Sequence, residues 1–356
     1  MIGRLGSPGR IGILYALSAA ALFGASTPLA KRLLPQVEPM LLAGLLYLGS
    51  GLGLAVWRWL RRGKTGGPSE ASLTRLSAPW LAGAILCGGV VGPVLLMVGL
   101  SRTPASAASL LLNLEGVLTA LLAWFAFKEN FDRRIALGMA CITVGAAALS
   151  WQGRPEVGPP WGAFAIAGAC LAWAADNNLT RNVSAADPMQ IAMLKGLCAG
   201  TVNTGVALAF GAKLPPVGTL AAIGLIGLFG YGVSLALFVL ALRHLGTART
   251  GAYFALAPFV GALISVLLLR EPMTAGLVIA GLLMAAGVWF HLTERHEHEH
   301  HHEALEHEHR HTHDEHHQHA HAPSDPPGEP HSHLHRHEPL AHSHPHYPDL
   351  HHRHGH

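Results

Sequence analysis

Charge is scarce in this chain. Asp, Glu, Lys and Arg together make up 13% of 356 residues while half are hydrophobic, which leaves too little ionic surface for a soluble protein of this length. Cysteine is scarcer still. Cys87, Cys141, Cys170 and Cys198 form no CxxC and lie in apolar runs, so they read as small packing residues rather than a metal or disulfide set. No GxxxxGK[ST] loop and no hydrolase, kinase or redox motif occurs, which argues against an enzyme and against ATP-driven transport by this chain alone. Nothing points to a nucleic-acid partner.

What the chain has in quantity is apolar sequence of membrane-crossing length. About 20 such residues span the hydrocarbon layer as a helix, the form that satisfies every backbone group there. Ten runs qualify, at about 11 to 30, 38 to 60, 78 to 100, 103 to 127, 133 to 151, 160 to 180, 187 to 211, 217 to 242, 247 to 269 and 273 to 292. The partner this implies is a lipid bilayer. The four cysteines sit among them and the chain holds 41 glycines; small residues such as Gly44, Gly49, Gly51 and Gly53, or Gly224, Gly227, Gly230 and Gly232, let helices approach closely in lipid.

The runs repeat. Residues 100–145 return at 242–287 under a shift of 142, with Leu100 on Leu242, Lys128-Glu129 on Arg270-Glu271 and Gly145 on Gly287. Earlier in each half the shift is about 150: Gly12, Phe23, Leu29 and Lys31 fall on Gly162, Trp173, Leu179 and Arg181. The chain therefore divides into a first repeat at 1–152, a second at 153–292 and a tail at 293–356. The return of the first run at 161–182 marks residues 11–30 as a span and not a cleaved leader.

Each repeat holds five spans, an odd number, so the second copy enters the membrane the opposite way round, as in many secondary transporters. Loop charge sets the orientation. With the N-terminus inside, thirteen basic residues, among them Arg58, Arg61, Arg62, Arg133 and Arg134, lie on the inner side and six, including Lys31, Arg32 and Arg270, on the outer. Both termini are expected in the cytoplasm, and the membrane is the cytoplasmic one. The fold class is thus an all-α membrane protein of ten helices in two inverted five-helix repeats, followed by a tail.

The repeated stretch resembles the EamA domain of the drug/metabolite transporter superfamily. The resemblance is carried by Ala105 to Ala120 with Leu114-Glu115-Gly116, by Lys128-Glu129, Gly138 and Gly145, and by the second-copy Leu256-Ala257-Pro258, Arg270-Glu271, Gly281 and Gly287. The first copy keeps the family's Glu and lacks its Pro; the second keeps the Pro and lacks the Glu. The resemblance covers residues 11–292 and implies a carrier with a central cavity between its halves, exporting amino acids, drugs or other small metabolites by exchange or on the proton gradient.

Glu115 falls near the middle of its span. A carboxylate at that depth is expensive and faces a cavity or a partner, which makes it the candidate for substrate binding or proton coupling; the bland alternative is neutralisation by Asn113 or Lys195. Asp176 and Lys195 lie at matching depths on two successive antiparallel spans and form a candidate ion pair, either a lock between helices or a flank of the cavity, with Asn177 beside it. Glu129 and Glu271 at span ends read as local pairing or capping residues. Pro258, like Pro28 and Pro93, sits inside a span and would bend it, so it is the candidate hinge.

From Thr293 the character changes. The tail holds 24 of the 26 histidines, 12 of the 21 acids, four arginines and no lysine, too little apolar surface for a core, and is expected to be disordered. Its alternating runs, His296, His298, His300, His301 and His302, then His307, His309, His311 and His313, then His331, His333, His335 and His337, suit Zn, Ni or Co. No cofactor is required for transport on this reading. Two rivals stand beside an organic-solute exporter: a nickel, cobalt or zinc exporter fed by the tail, and a non-transporting membrane metal sensor. Whether the chain forms a homodimer is open from sequence.

Overall fold

A computed structural model describes residues 8–61, 78–127, 133–151, 161–180, 187–292, 296–302, 305–311, 331–337 and 340–346. Among the described residues up to Leu292 the regular elements are all helices. The first half runs α1 (Pro8–Leu33), α2 (Pro39–Arg61), α3 (Ala78–Ala84), a π-helical turn (Ile85–Val91), α4 (Gly92–Arg102), α5 (Ala105–Leu111), α6 (Leu114–Phe127) and α7 (Arg133–Trp151). The second runs α8 (Trp161–Thr180), α9 (Pro188–Ala209), α10 (Val217–Gly227), a second π-helical turn (Leu228–Val233), α11 (Ser234–Phe254), α12 (Ala257–Leu269) and α13 (Ala275–Leu292).

Among the described residues six helices are long and apolar enough to cross a membrane, from Arg10–Leu33 to Val217–Ala241, and three shorter apolar ones follow at Ala136–Ser150, Ala257–Leu269 and Ala275–Phe290. Helix α8 also runs for 20 residues, but its last turns carry Asp176, Asn177 and Asn178.

The irregular places recur at matching positions. Shifted by 142, the first π turn falls on 227 to 233, where the second lies. A π turn leaves carbonyls without their usual partner, and such turns gather at functional sites. The fourth run of each half is also interrupted, at Leu112-Asn113 between α5 and α6 and at Ala255-Leu256 between α11 and α12. This corrects the expectation for Pro258. It occupies the first turn of α12, where a proline's missing N–H costs nothing, and so begins a helix instead of bending one. The first-half break contains no proline, so the interruption does not depend on that residue.

The halves interleave. Helix α1 packs on α11 and α12 of the other half, α8 on α4 and α6 of the first, while α2 pairs with α9 and α7 with α13. Glycine makes the α2–α9 contact close: a Cβ at Gly196 would come 2.8 Å from the Gly51 backbone, and one at Gly200 2.5 Å from the Leu48 nitrogen. The core is correspondingly built of small and aliphatic residues such as Ala43, Leu46, Leu100, Ala108, Ile166 and Met284.

Two polar ties hold the ends of helices. Lys31, at the end of α1, donates to the carbonyls of Leu100 (2.5 Å) and Thr103 (2.9 Å) at the end of α4. Glu271 accepts from the backbone N–H of Ala105 (2.7 Å) and of Ser106 (2.8 Å) and from the Ser106 hydroxyl (2.6 Å), capping α5. Cation at a helix C-terminus and carboxylate at an N-terminus is the arrangement the helix dipole favours. Glu271 thus caps, as its position suggested, but a helix of the other half and not its own. Arg270 is left-handed at φ 54°, the described non-glycine with positive φ, and ends α12 so that Glu271 follows the turn. Glu129 lies outside the described residues.

The tail differs from expectation. It carries strands β1 (His296–His302), β2 (Leu305–His311), β3 (His331–His337) and β4 (Leu340–His346), with β1 antiparallel to β4 and β2 to β3. The strands lie in the stretches where histidine recurs at alternate positions, the period at which residues of a strand share a face. His313 lies outside the described residues.

Candidate functional site

The site forms where the first half's interrupted helix meets α8. Ending α5 at Leu111 and restarting at Leu114 puts Glu115 in the first turn of α6, the end of a helix that favours a negative charge. Asn177 Nδ2 donates to Glu115 Oε1 at 2.9 Å and lies 3.4 Å from the Thr119 hydroxyl, one turn further along α6. Asn178 spans the same gap, reaching the Thr119 carbonyl at 3.4 Å and the Ala174 carbonyl of its own helix at 2.8 Å.

One residue back along α8, buried Asp176 receives Lys195 Nζ from α9 at 2.5 Å and the Thr180 hydroxyl at 2.9 Å, both on Oδ1. Lys195 also lies 3.2 Å from Thr180 Oγ1. Asp176 Oδ2 lies over Gly88, where a Cβ would fall 1.9 Å from it. Gly88 belongs to the first π turn, and its carbonyl accepts from both Tyr47 Oη (3.0 Å) and Trp173 Nε1 (2.9 Å). Asn203 takes the next two carbonyls, Gly89 at 3.2 Å and Val90 at 3.3 Å. The carbonyls freed by the π turn are therefore occupied by side chains from α2, α8 and α9, and those side chains gather the polar groups at this depth.

From Tyr47 an aromatic row crosses to the second half: Tyr231 at 5.6 Å, then Phe23 at 5.8 Å, Phe254 at 5.6 Å and Phe238 at 4.8 Å between centroids. Edge-on and tilted ring pairs of this spacing are attractive.

The structure brings together Glu115, Asp176, Asn177 and Lys195, four of the residues singled out from sequence. It sets Asn113 apart: buried, it donates to the Leu110 carbonyl at 2.9 Å and faces Met284 Sδ at 3.9 Å, serving the helix break. Tyr47, Trp173, Thr119, Thr180 and Gly88 were not legible as site residues, because each is a type that ordinarily packs a core. A signal did exist in the recurring glycine at 88 and 230 under the 142 shift.

Among the described side chains no group of three or more His, Cys, Asp or Glu gathers as a metal site; the side chains of the histidine strands lie outside those described.

The profile of one family covers this architecture twice, over residues 10–151 and 160–293. The chain belongs to the EamA-like transporter family. It is a multi-pass membrane protein of transporter type, and the family match ends where the histidine tail begins. A curated relative from Methanothermobacter thermautotrophicus, named as an uncharacterized transporter, is 29% identical over 292 residues, covering 78% of this chain and 85% of its own. One crystal structure, described only as that of a protein, matches with a TM-score of 0.58 at 18% identity over 79% of this chain and 95% of its own, a likeness of fold alone.

Proposed function

We propose that this EamA-family chain is a secondary carrier that exports a small organic solute across the cytoplasmic membrane. On this reading ten helices form two inverted halves with both termini inside, and the halves alternate access to a site between them. Glu115 binds the solute or exchanges a proton as the site turns over, and Asp176, Asn177 and Lys195 form its wall.

The observation that carries the reading is the pairing of Glu115 with a neutral amide. Lys195 is bonded to Asp176, while the donor to Glu115 Oε1 is Asn177. A carboxylate in a helix break at mid-span, hydrogen-bonded but beside a neutral group, can take up a cationic group or a proton at little structural cost. The aromatic row and the interrupted helices beside it are what a solute pathway through a bundle requires, since irregular backbone within a membrane is tolerated where it lines a cavity or is buried in protein.

The test starts from growth of a deletion strain across a panel of amino acids, drugs and metal salts, to find the solute whose tolerance is lost. Glu115→Gln then restores membrane expression without restoring tolerance. Full tolerance in that variant overturns the role of Glu115. Loss of metal tolerance alone, on truncation at Thr293, favours the metal-export reading instead.

A further inference from the structure

The two ladders of the tail keep one register. Partners run from His296 with His346 to His302 with Leu340, then from Leu305 with His337 to His311 with His331. Going from the first ladder to the second, one strand advances from 302 to 305 while the other retreats from 340 to 337, so no residue is gained or lost between them. The four strands form two separate two-stranded ladders.

Alternate residues of a strand share a face. In the β1–β4 ladder the even positions His296, His298 and His300 stand opposite His346, His344 and His342. In the β2–β3 ladder the odd positions His307, His309 and His311 stand opposite His335, His333 and His331. Each ladder therefore carries one patch of six histidines, made of three successive cross-strand rungs. His301, His302 and His337 stand opposite Ala341, Leu340 and Leu305 and so belong to no His–His rung, while His342, His344 and His346 join.

We propose that this tail binds divalent transition metal at two separate sites, one per patch, and that the metal holds each ladder together. A lone two-stranded ladder is at best marginally stable in water, and neither of these has an apolar face to bury. Residues opposite each other sit about 4.5–5.5 Å apart at Cβ, and successive residues on a face about 6.6 Å apart at a rise near 3.3 Å. Two adjacent rungs therefore offer four imidazoles within the reach of one four-coordinate zinc, and nickel or copper suits the same ligands. Binding then supplies the folding free energy, and it requires neutral rings, so it is lost as pH falls below about 6.5. Composition alone predicts binding in proportion to histidine number. The register predicts two discrete sites that depend on which residues face each other. This proposal does not rest on the transport reading.

The test uses the full chain in detergent with zinc alone as probe, counting bound ions by equilibrium dialysis and following backbone hydrogen exchange. Two ions per chain are expected at neutral pH, released on acidification, with protection appearing in 296–311 and 331–346 only when zinc is present. Replacing His296, His298, His300, His342, His344 and His346 by Ala removes one ion and leaves the other. A second variant keeps the composition and exchanges each histidine of β3 and β4 with a neighbour, beginning His331→Ser with Ser332→His. It is expected to bind zinc about tenfold more weakly or worse, as even loss of an outer-shell partner does, and to show no protection. Unchanged stoichiometry and affinity in the exchanged tail overturns the proposal, as does zinc binding without protection in the natural one.

Discussion

Asp176 lies directly over Gly88: a Cβ there would stand 1.9 Å from Asp176 Oδ2 and 2.4 Å from its Cγ. The same geometry recurs across the molecule, where a Cβ at Gly230 would meet the Ser26 Cβ at 2.7 Å. Each π turn thus presents a glycine to the first helix of the opposite half, and only in one half is the residue above it a carboxylate.

Gly88→Ala should therefore displace Asp176 and disturb its bond to Lys195. Overpacking of this kind costs about 1–3 kcal/mol, small enough for insertion to survive. Solute export is expected to fall while the amount of protein in the membrane holds. Gly230→Ala, pressing on Ser26, should affect export less; equal loss in both would show that the carboxylate is not what matters.

Lys195 and Asp176 are both largely buried, with side-chain exposures of 18% and 11%. Lys195→Met leaves a buried carboxylate without its cation, and breaking such a pair typically costs about 3–5 kcal/mol. Adding Asp176→Asn should recover most of the thermal stability in detergent, because two neutral residues need no pairing. Reversing both charges separates the roles: recovered folding with recovered transport marks a structural lock, and recovered folding without transport marks a binding pair.

Glu271→Ala removes the cap of α5, a loss of about 1 kcal/mol at a typical N-terminus, and frees the junction of α4 and α5 that Lys31 holds from the other side. A lower melting temperature is expected. Arg270→Gly should act oppositely, since a left-handed non-glycine residue stores about 1–3 kcal/mol of strain; a fall in melting temperature there would show that the Arg270 side chain matters more than its backbone.

At the start of α9, Asp187 is bonded to Arg58 and accepts from the Met189 N–H at 2.9 Å. Burial alone would raise its carboxyl pKa, but the hydrogen bonds from Arg58 and from the Met189 and Gln190 backbone, with the Arg58 charge, hold it below the ordinary 3.8. A carboxyl lowered in the folded state adds stability that is present above its unfolded pKa and is lost as pH falls through the folded one. The Arg58 side chain is 40% exposed, so the effect is small. Asp187→Asn, which keeps the cap, should lower stability at neutral pH and flatten its dependence below about pH 4; an unchanged acid profile would remove this pair from the acid response.

By itself the sequence determined that this is a duplicated helical membrane chain with a histidine tail. Run length, the 142-residue recurrence and the ionisable Glu115, Asp176 and Lys195 are one-dimensional signals, and a charged residue in an apolar run stands out because lipid makes it costly. Tertiary structure decided the rest. That Asn177 and not Asn113 reaches Glu115, and that Tyr47 and Trp173 share the Gly88 carbonyl, depends on two π turns and two helix breaks, each a local departure from regular hydrogen bonding that no residue type announces. The proline at 258 looked like the cause of one break, yet its twin forms without proline: there Asn113 bonds the Leu110 carbonyl and the Cys170 thiol of α8 meets the Leu111 carbonyl, contacts that exist only in the folded chain.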